Sequence, residues 1–279
     1  MATIRFKKVA HGYYRAYRVP STTPNCVPQI PPGAVGLGIE ASAVSDMVLA
    51  LAGNTHVTSI DVLLTRDNIL SVAHLMLANT TITSLTLSLW ADDSKDVFAS
   101  RCPAGFPAVM AHVVCMILAA PQLREVHLRH WATADIRNLM MSAQNMRTSH
   151  ICQLSVTPIW TPRDSGMDEL GLRLLHAFPG VREFLVRDDA SPSTRWRPRV
   201  DLFPDRPLDY LGRMSVTQES VAAVCAWLET ADVQRFGDID VDAASAEAKA
   251  QMTHALTRAL RTNPHVVFAR IANKLVVRV

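Results

Sequence analysis

One stretch of the chain occurs twice, and this repeat constrains the fold more than any other feature of the sequence. Residues 54–62 read NTHVTSIDV, and residues 79–87, which begin 25 positions later, read NTTITSLTL. The apolar residues between the copies have the i, i+3, i+4, i+7 spacing of an amphipathic helix: Ile69, Val72, Ala73 and Met76. Each repeat therefore reads as a strand, a loop and a helix, and repeats of this length are typical of solenoid proteins.

The strand part of the repeat follows the template apolar-x-x-apolar-x-apolar, in which the three apolar side chains should point inward. The template fits at Ala34/Leu37/Ile39, Val57/Ile60/Val62, Ile82/Leu85/Leu87, Leu123/Val126/Leu128, Ile151/Leu154/Val156, Val181/Phe184/Val186, Leu211/Met214/Val216, Phe236/Ile239/Val241 and Val266/Ala269/Ile271. The first positions lie 23 to 30 residues apart, except for one interval of 41 that contains an insertion, Ser88 to Pro107. The pattern predicts about nine short parallel strands with helices outside them.

These repeats resemble the leucine-rich repeat family, in its ribonuclease-inhibitor-like form with a helix in each repeat. The resemblance is strongest in the two copies above and fair in PQLREVHL (121–128) and PGVREFLV (179–186). It implies an α/β fold, a right-handed horseshoe-shaped solenoid with a parallel sheet on its concave side and helices on its convex side. We expect this domain to span residues 34–279.

The chain departs from the family pattern after each strand. Family members usually carry an Asn or Cys three residues beyond the last apolar strand position, where its side chain satisfies loop backbone groups. Here the equivalent residues are Thr65, Trp90, Trp131, Ile159, Asp189, Glu219 and Ala244. We expect Trp90 and Trp131, with Trp160 beside that line, to stack between neighbouring repeats. An aromatic cofactor box is the alternative interpretation, and we predict no cofactor.

Residues 1–33 form a separate N-terminal region. They contain no acidic residue, and their basic side chains alternate with aromatic ones: Arg5, Phe6, Lys7, Lys8, Tyr13, Tyr14, Arg15, Tyr17 and Arg18. One interpretation is a cap over the first repeat, which solenoids need; the other is an arm that grips phosphates or an acidic surface. A Pro-rich connector, Pro20 to Pro32, follows. At the other end, residues 275–279 are predicted to pair back on the last strand.

No signature of a common enzyme class is present, whether a Gly-rich phosphate loop, G-x-S-x-G or H-E-x-x-H. His127 and His130 form an H-x-x-H pair, but strand alternation separates them, so we predict no metal site. The five cysteines include no C-x-x-C pair, which indicates reduced thiols and a cytoplasmic protein. Secretion into a host cell is the alternative. No apolar run approaches the roughly 20 residues of a membrane span.

Strand alternation maps the side chains that should face away from the core. The candidate partner-binding residues on this face are Asp61, Glu125, His127, Arg129, Glu183, Arg187, Arg213, Asp238, Asp240, Asp242 and Arg270. A second cluster, in a Pro-rich segment that rules out a regular helix, comprises Arg195, Trp196 and Arg197. The insertion after Ser88 is a further candidate, because long loops within a repeat are often functional.

These features predict a non-enzymatic scaffold that binds a protein partner through the concave face and the insertion loops. The alternative from a different class is a nucleic-acid or anionic-surface binder, which would use the basic N-terminal region and the cluster from Arg195 to Arg199. Nucleic acid is the less favoured partner, since the net charge is only +3. High salt separates the two, because it abolishes binding that depends on phosphate contacts.

Overall fold

The structure is a computed structural model that describes residues 2–20, 27–89, 108–143, 150–158, 167–186, 196–203, 205–272 and 274–277. The chain divides into two compact units, residues 1–151 (unit 1) and 152–279 (unit 2). The predicted domain boundary at residue 34 and the predicted insertion from Ser88 to Pro107 stay predictions, and residues 90–107 lie outside the described part of the chain.

Unit 1 alternates strands with helices after an N-terminal hairpin. Its elements are β1 (Ala2–Ala10), β2 (Tyr13–Pro20), β3 (Gly36–Ile39), α1 (Val44–Ala52), β4 (Ser59–Leu63), α2 (Ile69–Ala78), β5 (Ser84–Ser88), α3 (Ala108–Leu118), β6 (Glu125–Trp131) and α4 (Thr133–Ala143). Strands β2 to β6 pair in parallel and in chain order, whereas β1 pairs antiparallel with β2.

The apolar template holds the repeats of unit 1 in register. Leu37, Ile60, Leu85 and Val126 lie opposite one another across β3 to β6, and all are buried. The residues at the next template position, starting with Ile39 on β3, also lie opposite one another and are buried. Since strand side chains alternate between faces, this row packs against the buried faces of the helices. Helix α3 buries Val114, Cys115 and Leu118, while Met116 is half exposed.

Unit 2 has the same organisation with one interruption. Its elements are β7 (Gln153–Pro158), α5 (Met167–Ala177), β8 (Glu183–Val186), β9 (Leu208–Leu211), β10 (Met214–Thr217), α6 (Val221–Thr230), β11 (Val233–Asp242), α7 (Ala246–Thr262), β12 (Phe268–Ile271) and β13 (Lys274–Val277). Strands β7, β8, β9, β11 and β12 pair in parallel in that order, and β10 also pairs with β11. Strand β13 pairs antiparallel with β12, which confirms the predicted C-terminal hairpin.

The segment between β8 and β9 has no α-helix in its described part, as the prolines predicted, and only a short 3₁₀ turn at Val200–Leu202. A chain of aromatic rings occupies the core instead. Trp196 packs edge-on against Phe184, and Phe203 stacks on Trp227 at 4.3 Å between ring centroids. Trp227 in turn meets Phe236 of β11. These rings replace the apolar stripe that a helix supplies elsewhere.

Polar side chains link neighbouring repeats where each helix leads into the following strand. The Asn79 side-chain amide donates to the carbonyl oxygens of Leu51 (2.6 Å) and Asn54 (3.1 Å). Gln122 donates to the equivalent pair one repeat later, Met76 (2.7 Å) and Asn79 (2.6 Å). In unit 2, Arg206 bonds the carbonyls of residues 175 and 178, and Asn263 those of residues 228 and 231. We call these four side chains the polar rungs.

The loops after the strands are satisfied by other means than the family's ladder. Trp131 is fully buried, and its indole N–H donates to the carbonyl of Leu87 at 2.8 Å, so it fills the line as expected. Asn68 accepts from the Thr65 amide and donates to the Leu63 carbonyl. Asp135 similarly accepts from the backbone of Ala132. Trp90 and Trp160 lie outside the described residues.

Candidate functional site

In each unit, the sheet face that carries the side chains between the buried template positions is here called the open face. On the open face of unit 2, five residues lie level across β7, β8, β9, β11 and β12: Gln153, Glu183, Tyr210, Arg235 and Phe268. Adjacent strands are about 4.8 Å apart, so these side chains form one continuous row. The row from Glu183 to Phe268 is called the central row below.

Arg235 organises the central row. Its guanidinium group donates to a Glu183 carboxylate oxygen at 3.0 Å and lies 5.7 Å from the centre of the Tyr210 ring. Its Nε also donates to the Asp209 carbonyl at 3.3 Å. The guanidinium therefore crosses strand β9 over the tyrosine ring, with half of the side chain exposed. A charge held by three contacts is presented in a fixed geometry, which lowers the ordering cost of binding.

Gly237 makes room for the tyrosine. The pairing of β11 with β12 shifts between Arg235 and Asp238, which marks a β-bulge. A Cβ on Gly237 would lie 2.9 Å from the Tyr210 hydroxyl and 3.0 Å from the backbone of Gly212. Burial, and then the nearby Asp238 carboxylate, raise the pKa of Tyr210, so its hydroxyl stays protonated at neutral pH.

The acidic strand end is largely balanced by arginine. Arg213 Nε donates to Asp240 at 2.5 Å, and Arg197 donates to Asp242 at 2.7 Å. Asp238 lies level with Arg270 of β12, and within the described part of the chain its buried Oδ1 has no hydrogen-bond partner. Two of the three predicted acidic residues are thus in ion pairs, so the strand carries less free negative charge than its sequence suggests.

In the predicted cluster of Arg195, Trp196 and Arg197, the tryptophan is buried. Trp196 is only 3% exposed and packs in the aromatic core, so the prediction that it contacts a partner was wrong. The sequence did not indicate this burial, because Trp196 stands between two arginines. The Pro-rich segment has no α-helix in its described part, so this tryptophan supplies its apolar contact with the core. Arg197 and Arg199 are engaged by Asp242 and Asp201. Arg187 and Arg195 lie outside the described residues.

The other predicted residues lie on the open face of unit 1. Asp61 of β4 and His127 of β6 share a row through Thr86 of β5, and Glu125 and Arg129 occupy the rows on either side. Near the hairpin, the Tyr13 ring covers Gly36, where an added Cβ would approach within 2.2 Å of the ring. Burial, followed by the charge of Asp61, raises the pKa of Tyr13. This face is polar and hydroxyl-rich, with Tyr13 as its aromatic edge.

Among the described residues, no three His, Cys, Asp or Glu side chains are placed to hold a metal ion. Within the same residues, no helix is long and apolar enough to cross a membrane. What the central row offers chemically is an aromatic and guanidinium surface with fixed polar partners.

Sequence reasoning missed part of the central row. Glu183 was predicted, as was Arg270 in the neighbouring row, but Tyr210 and Arg235 were not identified. Both precede the first template position of their repeats, because β9 and β11 begin three residues before that position. The sequence signal for these longer strands is an apolar residue three positions before each template. These residues are Leu208 and Val233, and they extend the strands toward the N-terminus.

Repeats of a strand, a loop and a helix, stacked with their strands parallel and in register, are the architecture of leucine-rich repeat proteins, and this is the fold of the chain. A structure search finds similarity to a leucine-rich repeat-containing protein, LegL7, from Legionella pneumophila. The two share 14% sequence identity with a TM-score of 0.45, over 88% of this chain and 86% of that one. No protein-family model and no curated protein sequence matches the chain.

Proposed function

We propose that this protein is a non-enzymatic scaffold that binds a protein partner through the open face of unit 2. The observation that carries the proposal is the central row, in which Arg235 lies over Tyr210 and reaches Glu183. Tyrosine, arginine and phenylalanine are the residue types enriched in the energetically dominant parts of protein interfaces. Here they stand side by side on adjacent strands.

The electrostatics of this face favour a protein over a polyanion. Arg197, Arg213 and Arg235 are each engaged by a carboxylate, so the face presents paired charges rather than a cationic stripe. A nucleic acid would need unpaired cations along its backbone. A protein partner instead needs an apolar contact for Phe268 and Tyr210, and hydrogen-bonding groups for the arginine–carboxylate pairs at the rim.

The finer features of the scaffold belong to the same proposal. We assign the ribonuclease-inhibitor-like subclass because an α-helix follows each of the strands β3 to β6 in unit 1 and β7, β10 and β11 in unit 2. We propose a cytoplasmic setting, in which thiols such as Cys115, Cys152 and Cys225 would stay reduced. Action as an effector inside a host cell is the alternative setting. The open face of unit 1, with Asp61, His127 and Arg129, is proposed as a secondary contact surface.

The proposal is tested by affinity capture from nuclease-treated lysate, at low and at high salt. The bait carries Tyr210→Ala and Arg235→Ala together, and the matched control carries Arg261→Ala on the exposed end of α7. We expect at least one captured protein to be lost from the double variant and kept by the control and the wild type. Two results would contradict the proposal: captured proteins that are found in untreated lysate but not after nuclease treatment, or equal capture by all three baits.

A further inference from the structure

The N-terminal hairpin has a basic edge strand. In the described part of the chain, β1 pairs with β2 on one side only, which leaves nine residues, Ala2–Ala10, with one row of backbone amides and carbonyls unpaired. The hairpin is fixed to unit 1 by the parallel pairing of β2 with β3 and by the Arg18–Asp46 ion pair at 3.0 Å. It therefore presents this edge in a defined orientation.

Three of the five cations of the hairpin lie on its open face. Arg15 lies level with Gly38 of β3, and Lys7 lies directly opposite Arg15. Arg5 lies opposite Tyr17 in the next pair on the same face. Among the described residues, no ion pair involves Arg5, Lys7 or Arg15. Like charges directly opposite one another destabilise a strand pair, so this arrangement is unfavourable unless an anion compensates it.

The other face of β1 carries two apolar side chains followed by Lys8. Ile4 and Phe6 alternate with Arg5 and Lys7 along the strand and are only half buried. Strand side chains alternate, so a strand added beside β1 would place every second residue near Arg5 and Lys7 and the others near Ile4 and Phe6. The complementary sequence is therefore an alternation of acidic and apolar residues.

We propose that the free edge of β1 binds an extended segment of a protein partner, with alternating acidic and apolar residues, as an added β-strand. Backbone hydrogen bonds supply the ladder, while the cations and the two apolar side chains select the sequence. This site goes beyond the proposed function, because it lies on the edge of unit 1 rather than on the open face of unit 2. Its failure therefore leaves the proposed function standing.

A second copy of this chain does not fit the same edge. Residues 1–39 contain no acid, so antiparallel pairing of two β1 strands would place Arg5, Lys7 and Lys8 against cations of the other copy. A nucleic acid or an anionic membrane could meet the charges but not the unpaired backbone groups. These two ligands are therefore outcomes that the test must separate.

The test uses the full chain and a fluorescent nine-residue peptide of alternating Glu and Val, with binding measured by fluorescence anisotropy. One control peptide has the same composition in a block order, and another is N-methylated at alternate backbone amides on the pairing edge. Lys7→Glu is the protein variant, and Arg137→Glu, on the exposed side of α4, is the matched charge control. Lys7→Glu places opposite charges across from each other, so the hairpin should stay folded.

We expect the alternating peptide to bind, and Lys7→Glu and N-methylation each to weaken it by about tenfold or more, as loss of a charge contact or of ladder bonds does. Arg137→Glu should bind like the wild type. Hydrogen exchange should show new protection of the Ala2–Ala10 amides in the complex. Three results would overturn the proposal: absence of binding, equal binding of the block or N-methylated peptide, or stronger Lys7-dependent binding of duplex DNA or anionic vesicles.

Discussion

The side-chain amide of Asn79 donates a 2.6 Å hydrogen bond to the main-chain carbonyl of Leu51, near the end of the helix in the preceding repeat. The main-chain carbonyl oxygen of Asn79 accepts a hydrogen bond from the side chain of Gln122 in the following repeat. Each rung thus donates hydrogen bonds to carbonyl oxygens at or just beyond the end of the preceding helix. Because a rung joins only neighbours, the stability of each unit should depend on the interfaces between successive repeats.

Replacement of Asn79 by alanine should destabilise unit 1 strongly. The change removes the two hydrogen bonds that the Asn79 side chain donates. It also removes the Oδ1 atom that accepts hydrogen bonds from the backbone amides of Thr81 and Ile82. Unsatisfied buried groups cost about 1–3 kcal/mol each, so we expect a loss of about 2–4 kcal/mol. Urea unfolding measures it, with exposed Thr80→Ala as the control. Equal midpoints for the two variants would show that the rung contributes nothing.

Trp131 provides a second test of the repeat interface. Trp131→Ala should lower the free energy of unfolding by about 3–5 kcal/mol, because it leaves a large cavity. Trp131→Phe keeps most of the apolar contact but loses the bond to the Leu87 carbonyl, so it should cost about 1–3 kcal/mol. Both are read from urea unfolding. An alanine variant within about 1 kcal/mol of wild type would contradict the buried position.

The cysteines should differ in reactivity. Burial raises the pKa of the Cys115 thiol from 9.0 to about 11, whereas Cys152 is exposed. At pH 8 the thiolate fraction of Cys115 is then about a hundredfold below that of an ordinary thiol, and its alkylation should be slower by at least that factor. Mass spectrometry of alkylated peptides follows each site separately. Comparable labelling rates at the two cysteines in folded protein would refute the burial of Cys115.

The raised pKa of the Cys115 thiol also determines how the free energy of unfolding changes with pH. The folded protein holds the Cys115 proton more tightly than the unfolded chain, so this contribution to stability is present below pH 9 and is lost as the pH rises through about 11. Cys115→Ala should therefore show a smaller fall in the free energy of unfolding over that interval. If the free energy of unfolding falls equally in the wild type and in Cys115→Ala, the fall arises from groups other than Cys115.

Gly237 should tolerate no side chain. Gly237→Ala would place its Cβ against the Tyr210 hydroxyl and the backbone of residues 212 and 213, and backbone cannot move aside cheaply. We expect a loss of about 1–3 kcal/mol in stability together with weaker partner binding. Gly53→Ala is the matched control, since nothing lies within 4 Å of its Cβ position. A Gly237→Ala variant as stable as Gly53→Ala would contradict the geometry of the bulge.

The repeat fold could be predicted because one local pattern recurs with the same burial in each copy. All nine templates, from Ala34 to Ile271, are buried at each of their three positions. The polar rungs could not be predicted as a set, because Asn79, Gln122 and Arg206 have different chemistry and share only a position relative to the preceding helix. Asn54 and Asn79 were visible in the repeat, but the sequence does not show that the side chain reaches back across it.

The site was harder to predict than the fold for a related reason. The template describes what faces the core, so it locates open-face residues only within its own length. Tyr210 and Arg235 lie outside it, and Trp196 is buried by contacts with Phe184 and Phe203 that depend on an irregular segment. Strand alternation did place Arg213 and Asp240 on the same face, and there the two form an ion pair.

Site-specific photo-crosslinking tests the central claim, that the open face of unit 2 binds a protein, most directly. A photoreactive phenylalanine derivative replaces Tyr210 on the central row or, in the control, exposed His254 on α7. Irradiation in nuclease-treated lysate should give a discrete protein adduct from position 210 and none from position 254. Adducts from position 254 alone, or no protein adduct from position 210, would contradict the assignment of this face as the partner-binding surface.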